Sequence, residues 1–173
     1  RHANNGDKLL MAMRQHGFTL IETMLAVAIL AIMFAIGPQI ITQINKFYLL
    51  SRARIDLQRE SRVALSMISK NLRQAQASTL VIDQSTNQPY YSRITFTNIQ
   101  GTSISYYLTG TKLIQLTSGK IMTLSENMRY LTFTFPRSDD MTIVSVSMTL
   151  EKTLFDGRVK TLHMTSEKVM VMN

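Results

Sequence analysis

The chain has 173 residues, of which 19 are lysine or arginine and 11 are aspartate or glutamate; its formal net charge is +8, and it has no cysteine. The absence of cysteine excludes a disulfide framework and a thiolate metal site, and the length suits one ordinary domain with an appendage. The positive charge is compatible with binding to nucleic acid, anionic lipid or an acidic protein, and it does not distinguish among these partners.

Residues 1–17 are polar, contain Lys8 and Arg14 and show no apolar periodicity, so we expect a cytoplasmic leader. Positive charge beside one end of a membrane span tends to hold that end in the cytoplasm. Because the sequence does not begin with methionine, we expect the native start upstream or at Met11 or Met13. Without residues 1–17 the chain keeps 16 basic and 10 acidic side chains, a net charge of +6.

An apolar run extends from Phe18 to Ile36, interrupted only by Thr19, Glu22 and Thr23. As a helix rising ~1.5 Å per residue, this run is ~28 Å long, close to the thickness of bilayer hydrocarbon. We therefore predict a transmembrane helix over residues 18–38. An ionised carboxylate inside lipid costs about 3 kcal/mol or more unless it meets a partner, which makes Glu22 a candidate functional residue.

The segment Gly17-Phe18-Thr19-Leu20-Ile21-Glu22 resembles the processing motif of type IV prepilins and of the pseudopilins of type II secretion systems. In that family, a membrane-embedded prepilin peptidase and methyltransferase cuts after the glycine and N-methylates the new terminal residue. The resemblance implies cleavage after Gly17 and methylation of Phe18. It also implies that Glu22 neutralises the terminal amine of a neighbouring subunit during assembly.

Two other kinds of N-terminal segment are alternatives to a prepilin motif. A secretory signal peptide has an apolar part of about 7–15 residues that small residues end. Here the run is longer and the glycine precedes it. A plain membrane anchor needs no Gly, Phe and Glu at this spacing, and it stays as an alternative.

Gly37-Pro38 is predicted to break the helix at the end of the span. Proline removes the amide donor to the carbonyl of Phe34 and costs about 3 kcal/mol in a helix interior. We expect a kink at the membrane surface, where water or neighbouring chains can satisfy the freed groups. The resemblance implies a helix-breaking position that lets the helix extend or loosen in a packed filament, and the two interpretations are compatible.

Residues 39–77 contain neither glycine nor proline and are predicted to form an amphipathic helix. With the span, this would make a helix of ~60 residues, ~90 Å long. The apolar positions fall at helical spacing in two groups: Ile41, Ile44 and Tyr48, then Leu65, Ile68, Leu72 and Ala75. Residues 57–75 (LQRESRVALSMISKNLRQA) also resemble this position in J-type minor pseudopilins and PilW-like minor pilins.

A charged belt separates the two apolar groups. It has no aromatic interleaving, glycine-rich phosphate loop or helix-turn-helix pattern, so we interpret it as a solvated or subunit-facing surface and DNA as a less favoured partner. The belt consists of Arg52, Arg54, Asp56, Arg59, Glu60 and Arg62.

From residue 78 the apolar period changes to two, which predicts an antiparallel β head over residues 78–173. The predicted fold is therefore α+β, with a long N-terminal helix packed on an antiparallel sheet. The order of strands and turns resembles the head of J-type and PilW-like minor pilins, and the last run, 159–172, is expected to close the sheet. The alternating apolar residues are Ile94 and Phe96; Ile104, Tyr106 and Leu108; Leu131, Phe133 and Phe135; and Val144, Val146, Met148 and Leu150. Turn signals that predict hairpins lie at 100–101, 109–111, 118–119, 138–140 and 156–157.

The sequence offers little catalytic or metal-binding chemistry. His163 is the one histidine after the leader, and no nucleophile-elbow pattern accompanies it. Asp139 and Asp140 lie in a predicted turn without the ligand periodicity of a calcium loop. The methionines are interpreted as core filling or an adaptable interface rather than copper ligands. We therefore expect no enzyme activity, cofactor or metal.

Taken together, these patterns predict a minor pilin or pseudopilin of a type IV filament machine, in a tip or initiation complex. The expected location is the inner membrane, with the head outside the cytoplasm. The expected partners are the prepilin peptidase, other pilins or pseudopilins, the assembly platform and membrane lipid. Two alternatives stay open: a competence pseudopilin whose basic head contacts DNA, and an anchored binding domain that does not assemble. The sequence does not separate secretion, pilus and competence systems.

Overall fold

A computed structural model describes residues 19–155, 157 and 159–171, which form one long helix followed by β-strands. Helix α1 is Leu20–Arg73, and a short 3-10 helix is Ala77–Thr79. The strands are β1 Val81–Asp83, β2 Arg93–Thr97, β3 Ser103–Thr109, β4 Lys112–Thr117, β5 Lys120–Ser125, β6 Met128–Thr134, β7 Ile143–Leu154 and β8 Val159–Met170. The predicted α+β class is confirmed. The chain divides into two compact units, Arg1–Lys46 and Phe47–Asn173.

Gly37-Pro38 does not end the helix, because α1 continues through both residues, and the kink expected there stays a prediction. A proline ring removes one intrahelical hydrogen bond while the bonds on either side persist, so a long helix can accommodate it. One turn later, the Thr42 hydroxyl donates a hydrogen bond of 2.6 Å to the Pro38 carbonyl. The limit of the membrane span at residue 38 stays a prediction, since it concerns the bilayer.

The amphipathic helix ends at Arg73, four residues before the predicted end at residue 77. The Gln74 and Ala75 amides bond to carbonyls three residues back, which tightens the final turn. The chain then pairs with the end of β2 through a bridge between Ala75 and Asn98. These strand-like bonds replace the helical ones, so the helix cannot continue.

The second unit buries a single stripe of α1. Most of its members recur every three or four residues, as expected for one helix face, and small residues among them let the backbone approach the sheets closely. The buried positions are Ala53, Leu57, Ser61, Ala64, Ile68, Ser69 and Leu72. Of the predicted apolar groups, the later one joins this core, with Leu65 at its margin. The earlier group, Ile41, Ile44 and Tyr48, is exposed.

The head contains two antiparallel sheets where one was expected. One has the order β1-β2-β3-β4-β5 and the other β6-β7-β8. Isolated backbone bonds, such as Phe133 N–H of β6 to the carbonyl of Tyr91 just before β2 at 2.9 Å, connect the two parts of the head without a continuous ladder. The turn signals at 100–101, 118–119 and 138–140 fall between strands, and the signal at 109–111 begins at the last residue of β3. Ser118 and Gly119, both at positive φ, close the two-residue hairpin between β4 and β5.

The apolar alternation in the sequence predicted the sheet faces that form the core. Every residue of the four predicted runs is buried except Phe135, which is partly buried against the cluster. Strands β1, β4 and β5 were not predicted individually. In β5 the large apolar residues Ile121 and Met122 are exposed, so the strand lacks the alternation that marks a half-buried face.

Polar contacts attach the helix to the head on the flank that faces the five-stranded sheet. The Glu60 carboxylate accepts hydrogen bonds from the Glu126 amide at 3.1 Å and from Asn127 Nδ2 at 2.9 Å. Asn71 Nδ2 donates a bond of 2.5 Å to the buried hydroxyl of Tyr106. Glu60 of the predicted charged belt is therefore not simply solvated, because it holds the turn between β5 and β6.

Candidate functional site

The residues predicted for processing and assembly lie at the beginning of α1. Gly17 and Phe18 are outside the described residues, so cleavage and methylation there stay predictions. Glu22 is described and lies in the first turn of the helix. The structure therefore gives the geometry of the predicted assembly carboxylate and of the residues that follow it.

Glu22 and Thr19 form a reciprocal hydrogen-bonded cap. The Thr19 amide donates to Glu22 Oε2 at 2.9 Å, and the Thr19 hydroxyl donates to the same oxygen at 3.1 Å. In return, the Glu22 amide lies 3.3 Å from Thr19 Oγ1 and 3.0 Å from the Thr19 carbonyl. This is a capping box, in which the first residue and the fourth satisfy each other's free amides. The cap fixes the carboxylate at the start of the helix.

The role of Thr19 was not predicted from the sequence. Its signal was present, because a threonine three residues before a glutamate at the start of an apolar run is the pattern of a capping box. The carboxylate also lies at the positive end of the helix dipole, which favours negative charge. Glu22 therefore has a local structural reason to be at this position, in addition to the role that the family resemblance implies.

The surface around Glu22 is apolar and unburied within the described chain. Leu20, Ile21 and Met24 are exposed to 80, 75 and 66%. The beginning of α1 is long and apolar enough to cross a membrane, and none of that apolar window is buried. So much exposed apolar surface is unfavourable in water and calls for lipid or neighbouring chains. A carboxylate within this apolar surface needs a partner that is also inside the lipid or between the neighbouring chains.

The other residues singled out in the sequence are not brought together in the head. His163 is half-buried on β8, opposite Leu150 of β7. Asp139 is exposed 3.8 Å from Arg137, and Asp140 accepts a 2.9 Å bond from the Thr142 amide. Hydrogen bonds from the hydroxyl and then the amide of Thr142 lower the pKa of Asp140. These aspartates act as turn residues.

No potential metal site occurs within the described part of the chain, where no three side chains of histidine, aspartate or glutamate converge. The methionines fall into two groups. Met128 and Met148 are buried in the core, whereas Met141, Met164 and Met170 are exposed. The first group fills the core as predicted, and the second lies on the head's surface.

A family model described as the prokaryotic N-terminal methylation motif matches residues 12–37. The match spans Gly17, Phe18 and Glu22, and it confirms the resemblance to type IV prepilins. No curated protein and no solved structure matches the chain. The motif favours a structural subunit that is processed and assembled over an enzyme, and the apolar helix favours membrane anchoring.

Proposed function

We propose that this type IV prepilin-like protein is a minor pilin or minor pseudopilin, incorporated in the tip or initiation complex of a type II secretion system or type IV pilus. The observation that carries the proposal is a single carboxylate, Glu22, capped at the start of an exposed apolar helix within the methylation motif. The J-type and PilW-like resemblance of residues 57–75 and of the head supports a minor rather than a major subunit.

In this proposal the precursor waits in the inner membrane, with residues 1–17 inside and the head outside. The prepilin peptidase cuts after Gly17, and the exposed amine of Phe18 is methylated. Glu22 then pairs with the terminal amine of a neighbouring subunit in a low-dielectric setting. Because an unpaired carboxylate there is costly, the pairing favours docking in one axial register.

The Thr19 cap adds a physical element to this mechanism. A carboxylate that already accepts two hydrogen bonds has fewer rotamers to lose when it meets an amine, so the entropic cost of pairing is smaller. The cap therefore preorganises the acceptor, while the charge supplies the attraction.

The processing step is tested by intact-mass measurement of the protein from its own membrane. We expect a mass that begins at Phe18 and carries one added methyl group. The variant Gly17→Leu should keep the leader, because a bulky side chain would block the peptidase. A wild-type mass that retains residues 1–17 would favour the non-assembling anchor, and a Gly17→Leu product of processed size would contradict the cleavage assignment.

The assembly step is tested with three variants that separate charge from capping. Glu22→Ala and Glu22→Gln should be cleaved but poorly incorporated into filaments, although glutamine can still accept the hydrogen bond from the Thr19 amide. Thr19→Val removes the hydroxyl but keeps the carboxylate, so it should be incorporated far better than either. Normal incorporation of Glu22→Gln would contradict the pairing role and leave Glu22 as a helix cap.

A further inference from the structure

A groove lies on the flank of α1 away from the five-stranded sheet. It has a volume of about 710 Å³ and is bounded by the last three turns of the helix and by β8. None of the functions proposed above uses it. The lining residues are Arg62, Leu65, Ser66, Ser69, Lys70, Arg73, Gln74 and Glu167.

The groove is positively charged. Arg62, Lys70 and Arg73 all have exposed side chains, and the one carboxylate in the lining, Glu167, lies 3.9 Å from Arg73. One acidic group therefore faces three cations. Exposed like charges held together on one helix face repel, and an anionic ligand that lay between them would relieve this repulsion.

A buried hydroxyl in the same groove also points to a ligand. Ser69 is 5% exposed, and its Oγ has no hydrogen-bond partner among the described residues. Leaving a buried polar group unsatisfied costs about 1–3 kcal/mol, so such groups usually have a partner in the functional state. A ligand that brings a polar atom into the groove would supply it.

The groove runs beside a free sheet edge. Among the residues that the structure describes, strand β8 pairs only with β7, and it is 12 residues long. Its outward face exposes Leu162, Met164 and Met170, with Met164 exposed to 77%. Long, exposed edges of this kind are sites where a further strand can add, because one side of the backbone still offers donors and acceptors.

We propose that an extended acidic segment of another protein chain adds to the edge of β8 and covers the groove. Side chains of an added strand alternate between the two faces of the sheet. Those on the helix side would therefore enter the groove, where carboxylates would meet Arg62, Lys70 and Arg73 and a polar atom would reach Ser69. The opposite side chains would continue the apolar face of Leu162 and Met164.

The free edge favours a peptide over nucleic acid. Only a polypeptide offers the repeating amide pattern that pairs with an edge strand. The inference goes beyond the assembly role, because it concerns the head and can be measured with protein that is not incorporated in a filament.

The test uses the full chain in nonionic detergent and fluorescence anisotropy of labelled probes. The acidic probe is a peptide of about ten residues that alternates threonine and glutamate, long enough to span most of β8. The other probes are the matching threonine–lysine peptide, the acidic peptide with N-methyl groups on alternate residues, and a short single-stranded oligonucleotide. The N-methylated peptide keeps the charge but cannot pair with a strand edge.

We expect the acidic peptide to bind and to bind more weakly as salt rises, because exposed charges are screened. The double variant Arg62→Gln, Arg73→Gln should weaken binding about tenfold or more, since both charges would face the ligand. The matched variant Lys120→Gln removes a cation from the exposed strand β5 and should change nothing. All three positions are exposed, and circular dichroism checks that the variants fold.

Four results with the peptide probes would overturn the proposal. They are no binding of the acidic peptide, equal binding of the lysine peptide, equal binding by the double variant, and undiminished binding of the N-methylated peptide. Tighter binding of the oligonucleotide than of the acidic peptide would also overturn it and would favour a DNA-contacting head. The processing and assembly tests of the proposed function are independent of each of these outcomes.

Discussion

Tyr106 should make the head less stable as pH rises above about 10. The substitution Tyr106→Phe should remove this loss. The side chain is completely buried on β3, stacked with Phe96 at a centroid distance of 6.3 Å, and its hydroxyl accepts the bond from Asn71. Burial raises the pKa of Tyr106 to about 12, against a smaller opposing effect of the Asn71 hydrogen bond. In the unfolded chain the phenol has its ordinary pKa of 10.0.

The sign and the size of the effect follow from these two values. Between pH 10 and pH 12 the unfolded chain releases the phenol proton while the folded chain keeps it, so the free energy of unfolding falls as pH rises. The difference of about two pH units corresponds to about 2.7 kcal/mol at full effect and to about 1.4 kcal/mol at pH 11.

The variant Tyr106→Phe should therefore cross the wild type in stability. At neutral pH it loses one hydrogen bond and should be less stable by about 1 kcal/mol, because Asn71 is only half-buried and can reach water. At high pH the variant has no phenol to titrate, so its free energy of unfolding does not fall as that of the wild type does. The two free energies of unfolding should be equal between about pH 10.5 and pH 11, and the variant should be the more stable above that.

The assay is guanidinium unfolding of the full chain in alkali-stable nonionic detergent at a series of pH values, followed by circular dichroism. Ile104→Val is the control, because it removes one methyl group from the same face of β3 and costs about 0.5–1.5 kcal/mol while Tyr106 is kept. Its difference from wild type should be constant with pH. A constant difference for Tyr106→Phe as well, without a crossing, would refute the reasoning from burial.

Two further predictions concern polar contacts of the head. Glu60→Ala should lower the free energy of unfolding by about 1–3 kcal/mol in urea, because two hydrogen bonds to the turn between β5 and β6 are lost. Asp56→Asn removes an exposed ion pair of 3.4 Å and should cost less than about 1 kcal/mol, so equal losses would contradict a special role for Glu60. Hydrogen bonds from Lys160 and then Arg129 lower the pKa of Glu151. Its ionised form therefore stabilises the fold above the ordinary glutamate pKa of 4.5 and loses this effect as pH falls, so wild type should lose more stability on acidification than Glu151→Gln. Parallel acid profiles would show that these contacts do not stabilise the fold.

The sequence predicted the head's core because alternation reports directly on burial. Val144, Val146, Met148 and Leu150 alternate with polar residues, and all four are buried on β7. The number of sheets could not be predicted from this alternation. Alternation says which face of a strand is inside but not which strands pair, so nothing local distinguished one sheet from two.

Helix boundaries show the same limit. The proline at position 38 has a local cost, but the rest of α1 keeps its hydrogen bonds and the helix continues. Conversely, residues 74–77 have no local helix breaker, yet the helix ends at Arg73 because pairing with β2 offers the backbone other partners. Only the tertiary structure decides between such alternatives.

For the candidate site, the sequence by itself determined the chemistry. Glycine, phenylalanine and glutamate at fixed spacing at the start of an apolar run identify a prepilin-like segment, since the peptidase motif is read along the chain itself. The structure added what depends on distance: the cap that Thr19 gives Glu22, the attachment of the helix by Glu60, and a basic groove beside the free edge of β8. The last two features join residues that are up to about a hundred positions apart in the chain, such as Arg62 and Glu167, and only folding brings such residues together.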